Sequence, residues 1–297
     1  MKIGIIGAGA MGSVYAGLMA DSGHDVWMFD NWAEHVAAIN ANGLKVEGAS
    51  GDRVAKPHAT SNAADAGVVE LAIVATKAMQ TKAAVEAAAP MLGPNTAVLT
   101  LQNGLGNVER IQELVDPKNV LCGIAGGFGA SMVGPGHVHH NGMEAINIAE
   151  AASGLTDRVE NVATAWRDSG FKVGVYEDIW PVVWSKLMAN IAVSATCSLT
   201  GMRVGRSFRT NGPGVSAWIA CAKRRPVPKL KASSYFMMTP LPGCMTSPPR
   251  SQTPGHQCTW TRKRAAFPKS VPSMAALWMR ASSLAFQRRH VPSWCAR

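Results

Sequence analysis

The feature that most restricts this chain is its first stretch, Met1-Lys-Ile-Gly-Ile-Ile-Gly-Ala-Gly-Ala-Met-Gly-Ser13. A short apolar run enters Gly7, Ala8, Gly9, Ala10, Met11 and Gly12 and then a helix-forming segment. That order predicts a buried strand, a tight glycine turn and a helix N-terminus. Each glycine has its own task in such a turn. Gly7 makes the bend, Gly9 lets the backbone approach a pyrophosphate, and Gly12 lets the helix pack close to the strand. The free N–H groups and dipole of the helix then hold the phosphates. A strand-to-helix turn without a ligand is the plainer alternative. Context argues against it, because a second strand, Asp25-Val-Trp-Met-Phe29, follows the helix. The expectation is a dinucleotide-binding fold.

Asp30 closes that second strand, 23 residues after Gly7. An acid there accepts hydrogen bonds from the adenosine ribose hydroxyls and repels a 2′-phosphate, which favours NAD over NADP. A helix cap for the segment starting at Trp32 is the other reading of the same residue.

Strands and helices then alternate. A helix over Ala33 to Asn42 ends at Gly43, and a short strand runs from Leu44 to Glu47. Buried strands are predicted over Val68 to Ala75, Asn95 to Leu101 and Asn119 to Ile124, with helices between them. This order gives a doubly wound parallel sheet of Rossmann type, an α/β fold, over residues 1–176. Lys77 and Asn103 fall just after strand C-termini, where open α/β sheets place their ligands. His137, His139 and His140 cluster around a turn; without acids or cysteines at ligand spacing they are read as exposed hairpin residues, not a metal site.

Asp178 then caps a helix with Pro181 in its first turn. Its predicted apolar stripe is Trp180, Val183, Trp184, Leu187, Ile191 and Ala195. Lys186, Asn190 and Ser194 line up four apart along one edge of that stripe. They are either a solvated flank or a row facing a cleft. A lysine in a cleft suits proton donation, since burial lowers its pKa toward the working range.

Four stretches together resemble the ketopantoate reductase (2-dehydropantoate 2-reductase) family. They are Gly7-Ala-Gly-Ala-Met-Gly12, Ala75-Thr-Lys77, Leu101-Gln-Asn-Gly104 and Trp184-Ser-Lys-Leu-Met-Ala-Asn190, and the resemblance runs from Met1 to about Gly205. It implies NAD(P)H-dependent reduction of 2-dehydropantoate to (R)-pantoate, a step of pantothenate biosynthesis. Lys186 resembles the family's general acid, and Asn190 its substrate-binding amide. Lys77 and Asn103 resemble the residues beside nicotinamide and substrate. Ser194 stands where the family usually has another asparagine in the substrate pocket. NADP(H) is the family's usual cofactor, yet Asp30-Asn-Trp32 stands where an arginine suited to NADP is common. The family also contains NAD-dependent D-2-hydroxyacid dehydrogenases, toward which Asp30 leans. The implied partner is a small 2-oxo acid, with a homodimer left open.

The family's helical C-terminal domain corresponds to residues 177–297, and there the resemblance stops at about Gly205. Residues 1–200 carry 12 Lys+Arg against 19 acids; residues 201–297 carry 17 Lys+Arg and no acid. Ordinary usage would put about fifteen acids in the acid-free stretch that begins at Ile179. Such a tail can be read as a nucleic-acid-binding arm. A shifted reading frame explains it better. Across Trp260/Thr261 the shifted codon is aspartate, across Met274/Ala275 glycine, and across Trp278/Met279 aspartate. Allowed bases let His256 to Ser270 read Ser-Met-His-Val-Asp-Ala-Glu-Ala-Gly-Arg-Phe-Pro-Glu-Val, which resembles the family's C-terminal segment with its substrate-site serine and glutamate. Pro272 onward and Leu284 to Arg289 give two further family-like strings in the right order. The expected frameshift lies between about Gly205 and His256. The chain as written is then expected to have a poorly ordered segment after about Gly205 and negligible ketopantoate reduction, which leaves an inactive cofactor-binding protein as a further reading.

The rest of the composition is unremarkable. At 297 residues the chain can hold two domains. No apolar run of about eighteen residues occurs, so no membrane span is expected. The first residues lack the layout of a signal peptide, and a cytoplasmic protein is expected. The six cysteines show no metal-type spacing.

Overall fold

The opening apolar run forms β1 (Lys2–Ile6), and the glycine turn leads directly into α1 (Ala10–Asp21). The computed structural model describes residues 1–142, 145–195, 197, 198 and 201. The alternation continues as β2 (Asp25–Phe29), α2 (Ala33–Asn42), β3 (Leu44–Gly48), β4 (Arg53–Ala55) and β5 (His58–Thr60). Then come β6 (Leu71–Val74), α3 (Thr81–Ala87), β7 (Ala97–Thr100), α4 (Asn107–Gln112) and β8 (Val120–Gly126). A hairpin of β9 (Gly129–Gly134) and β10 (His137–Gly142) precedes β11 (Ala145–Glu150), α5 (Asp157–Asp168), β12 (Lys172–Val175) and α6 (Trp180–Asn190).

Eight strands make the main sheet, in the order β12-β11-β8-β7-β6-β1-β2-β5. From β8 to β5 every neighbouring pair is parallel, as the alternating pattern requires. β11 is the exception, running antiparallel to β8. The chain leaves β1 toward β2 on one side and returns to β6 on the other. The carboxyl ends of β1 and β6 therefore flank the switch point at which such sheets take ligands.

A second, four-stranded sheet (β4-β3-β10-β9) was not foreseen. It is closed by parallel pairing of Lys45 with His137 through Gly48 with His140. α1 lies against both sheets, and every residue from Gly12 to Met19 is buried. A Cβ on Gly17 would sit 2.5 Å from Val46 Cγ2, so the helix backbone touches β3. Burial on all sides explains why α1 has no polar stripe.

Two local expectations need correction. The strand expected from Val68 begins only at Leu71, because Val69 N–H bonds to Met91 O outside the ladder and Val68 is exposed. The three histidines are not all exposed hairpin residues. His140 is fully buried, stacked on Phe128 and 2.9 Å from Ser50 Oγ. β3 also brings an acid to its neighbours: Glu47 lies 2.9 Å from His137 and 3.4 Å from His139. The neighbouring His137 and Lys45 side chains hold the Glu47 carboxyl down to about 2.

The C-terminal domain expected from residue 177 is described only through α6 and a π-helical turn, Ile191–Ala195, apart from isolated residues to Gly201. The shifted-frame segments and the tail after Gly205 lie outside the described residues. Among the described residues, no helix is long and apolar enough to cross a membrane.

Candidate active site

Two features occupy the carboxyl edge of the main sheet. The first is the glycine turn. Gly7 has φ +100°, and a Cβ there would lie 2.6 Å from Thr76 Cγ2. A Cβ on Gly12 would lie 2.0 Å from Gly7 O, so the turn and the first helical residues are in direct backbone contact. Gly9 differs: nothing lies within 4 Å of a Cβ built there. No side chain caps α1, and no acid occupies its first turn. The exposed backbone at Gly9 and this uncapped end fit an anionic pyrophosphate.

Asp30 belongs to the same turn. Its Oδ2 accepts the Ala8 N–H at 2.6 Å and its Oδ1 accepts the Trp32 N–H at 2.9 Å. The helix cap itself is Trp32, so Asp30 closes the turn before α2 instead of capping it. Its half-buried carboxylate is a fixed negative charge beside the loop, at the end of β2. That charge suits ribose hydroxyls and opposes a 2′-phosphate.

The second feature is an open cleft beside the ends of β7 and β8. It is lined by Gln102, Asn103 and Asn107 from the segment after β7, by Cys122 and Ile124 of β8, and by Trp180, Lys186 and Asn190 of α6. The cap of the helix that carries Lys186 is Ile179, not Asp178 as expected; Asp178 stands one residue earlier, and its Oδ1 accepts the Trp180 N–H at 3.0 Å. Lys186 Nζ donates to Ala125 O, at the end of β8, at 2.6 Å. An ammonium has three protons, so this bond leaves two for a ligand. Among the described residues no carboxylate pairs with Lys186. Burial without a counter-ion pushes its pKa down to about 8. Burial, with Glu109 adding to it, pushes the Cys122 thiol up to about 12, so it stays neutral in the cleft wall.

The other expected site residues fall as follows. Asn103 is exposed at the cleft mouth, in a loop that turns through Gly104 (φ +92°) and Gly106 (φ +87°). Lys77 is exposed in the loop after β6 and does not line the cleft. Ser194 is exposed and also outside the cleft lining. It sits in the π-helical turn Ile191–Ala195, beyond the end of α6. Trp184 and Ile191, expected in the apolar stripe, are 42% and 45% exposed.

Gln102, within the Leu101-Gln-Asn-Gly104 stretch, has a role the sequence did not reveal. Its amide donates to Thr76 O at 2.7 Å and Thr81 Oγ1 at 2.9 Å, and accepts from Thr100 Oγ1 at 3.0 Å. It ties the loop after β6 to the loop after β7, and so sets Lys77 relative to Asn103. The clue in the sequence was a polar residue at a strand end, two residues before Gly104.

Known proteins share this sequence and fold. A family model described as ketopantoate reductase PanE/ApbA matches residues 3–153. A 2-dehydropantoate 2-reductase of Streptococcus pyogenes is 31% identical over 212 residues, 70% of this chain and 67% of that protein. The chain thus spans about two thirds of the length of the curated relatives it matches. The solved 2-dehydropantoate 2-reductase of Geobacter metallireducens GS-15 is 29% identical with a TM-score of 0.69, covering 80% of each chain. A D-mandelate dehydrogenase solved with NADH and anilino(oxo)acetate is 28% identical with a TM-score of 0.66, over 71% of this chain and 68% of that one. Glycine turn, parallel sheet and sequence match agree, and the chain belongs to the ketopantoate reductase PanE/ApbA family of oxidoreductases.

Proposed function

We propose that this chain carries the cofactor-binding and acid-donating parts of an enzyme that reduces 2-dehydropantoate to (R)-pantoate with NAD(P)H. The observation that carries the reading is Lys186: a half-buried ammonium in a cleft that Asn103 and Asn190 also line, with no carboxylate partner among the described residues. Bound reduced nicotinamide would supply the hydride. Lys186 then meets the charge that grows on the ketone oxygen and gives that oxygen its proton. Asn103 and Asn190 orient the 2-oxo acid, Lys77 serves the cofactor, and Ser194 belongs to the substrate side once the C-terminal domain is in place. The domain boundary of this proposal falls between residues 176 and 177. In this reading the frame shifts somewhere between about Gly205 and His256, so full activity requires restoring it. An assay of the frame-restored protein with ketopantoate, against other 2-oxo acids, tests the substrate. No turnover of ketopantoate under conditions of cofactor saturation would refute it.

A second reading, an NAD-dependent D-2-hydroxyacid dehydrogenase, is favoured by the Asp30 carboxylate and by the likeness to D-mandelate dehydrogenase. Phenylglyoxylate in the same assay separates the two. On the cofactor, Asp30 is expected to make NADH bind more tightly than NADPH, and Asp30→Asn to narrow the difference. Fluorescence titration of each reduced cofactor measures this. Tighter binding of NADPH by the unaltered chain would contradict the role given to Asp30.

A further inference from the structure

Behind the glycine turn lies a fully buried polar chain that the reductase chemistry does not use. Gly136 N–H, in the turn of the β9–β10 hairpin, donates to His35 Nδ1 at 2.8 Å. A backbone N–H can only donate, so Nδ1 is bare and the neutral ring carries its proton on Nε2. Nε2 lies 3.2 Å from Ser13 Oγ and therefore donates to it. Ser13 Oγ gives its own proton to Ala8 O at 2.9 Å. Each direction is forced by the one before. His35 and Ser13 are both 0% exposed, so no water can substitute for a missing partner. Burial pushes the His35 pKa below the usual imidazole range, against a pull from Asp30, which keeps the ring neutral. Trp32 stacks on the ring at 4.9 Å and fixes its plane.

The chain ends on the atom that matters for the turn. A trans peptide points its C=O and the next N–H in opposite directions. Holding Ala8 O inward against Ser13 turns the Gly9 N–H outward, to the side where Gly9 is exposed and unobstructed. Asp30 holds the preceding peptide through Ala8 N–H. Both peptides flanking Ala8 are thereby fixed before any ligand arrives.

We infer that His35 is a positioning residue for the glycine turn: through Ser13 it aims the Gly9 N–H at a dinucleotide's pyrophosphate, and it makes cofactor affinity depend on the β9–β10 hairpin. This rests on the dinucleotide reading of the turn. Preorganisation of this kind removes an ordering cost from binding.

The test is fluorescence titration with NADH, using the full chain and four variants. Ser13→Ala removes one buried oxygen and breaks the chain with the least disturbance to packing. His35→Phe keeps the stack on Trp32 and removes both nitrogens. His35→Gln can restore a donor near Ser13, whereas His35→Asn can only restore the acceptor for Gly136. Ser13→Ala, His35→Phe and His35→Asn are expected to weaken NADH binding about three- to tenfold, and His35→Gln to retain most of it. A role confined to packing the hairpin would instead be rescued by asparagine. Labelled-histidine NMR of the cofactor-free chain should find His35 with its proton on Nε2. Folded Ser13→Ala that binds NADH as tightly as the unaltered chain, or the opposite tautomer, overturns the inference. No NADH or NADPH binding by the unaltered chain removes the dinucleotide reading itself, and the inference with it.

Discussion

Replacing Lys186 by alanine in the frame-restored protein is expected to lower turnover by about 10²–10⁴-fold, the usual contribution of a general acid. Cofactor affinity should stay within a few-fold, because Lys186 bonds to Ala125 O and touches no part of the glycine turn. The pH profile carries more information than the loss. With the ammonium held at about 8 instead of 10.5, its acid form fades as pH rises through about 8, and activity should fall there. Stability should move the other way. Between about 8 and 10.5 the unfolded chain holds more protons than the folded one, so the fold gains stability as pH rises. Falling activity with constant or rising thermal stability in that window is the expected signature. Lys186→Arg keeps a charge that does not titrate and should lose the alkaline limb along with most turnover. Turnover unchanged in Lys186→Ala would make this residue a solvated flank.

The second large effect is at the glycine turn, where two neighbouring substitutions should separate folding from binding. In Gly12→Ala the new Cβ meets Gly7 O at 2.0 Å, so backbone must move against backbone. Overpacking of this kind costs about 1–3 kcal/mol or more, and it displaces the turn that should hold the phosphates. A lower Tm and loss of cofactor binding are expected together. Gly9→Ala places its Cβ in open space at a φ of −65° that any residue adopts. Its Tm should hardly change, while NADH binding falls sharply because the methyl group stands where the ligand's phosphates approach. Calorimetry and fluorescence titration on the same samples check both. Equal cofactor binding by Gly9→Ala and the unaltered chain would mean that the pyrophosphate sits elsewhere.

What could be read in the chain before its structure, and what could not, divides along sequence distance. β2 and α2 fall on the residues expected of them, because Gly43 takes φ +80° and ends the helix sharply. The glycine turn was legible for the same reason: local backbone geometry selects the residue type. The second sheet was not, since its central pairing joins residues 45–48 to 137–140 and neither segment alone announces the other. The same gap hid Glu47 among the histidines and His140 in the core. Ser194, expected in a row with Lys186 and Asn190, lies past the end of α6 in a π-helical turn and outside the cleft lining. His35 and Ser13 carried no signal, as their link needs three elements to meet: α1, α2 and the β9–β10 turn.

The reading of the glycine turn and the Lys186 cleft as one reductase site, incomplete only for want of its in-frame C-terminal segment, meets its most direct test in ketopantoate-dependent oxidation of NADH or NADPH. The chain as written and the frame-restored chain are compared at equal cofactor saturation. The expected result is that both bind reduced cofactor and only the restored chain consumes it, with one pantoate formed per cofactor oxidised. A restored chain that binds cofactor yet leaves ketopantoate unreduced contradicts the proposed function. Comparable turnover by the chain as written contradicts the need for the restored segment.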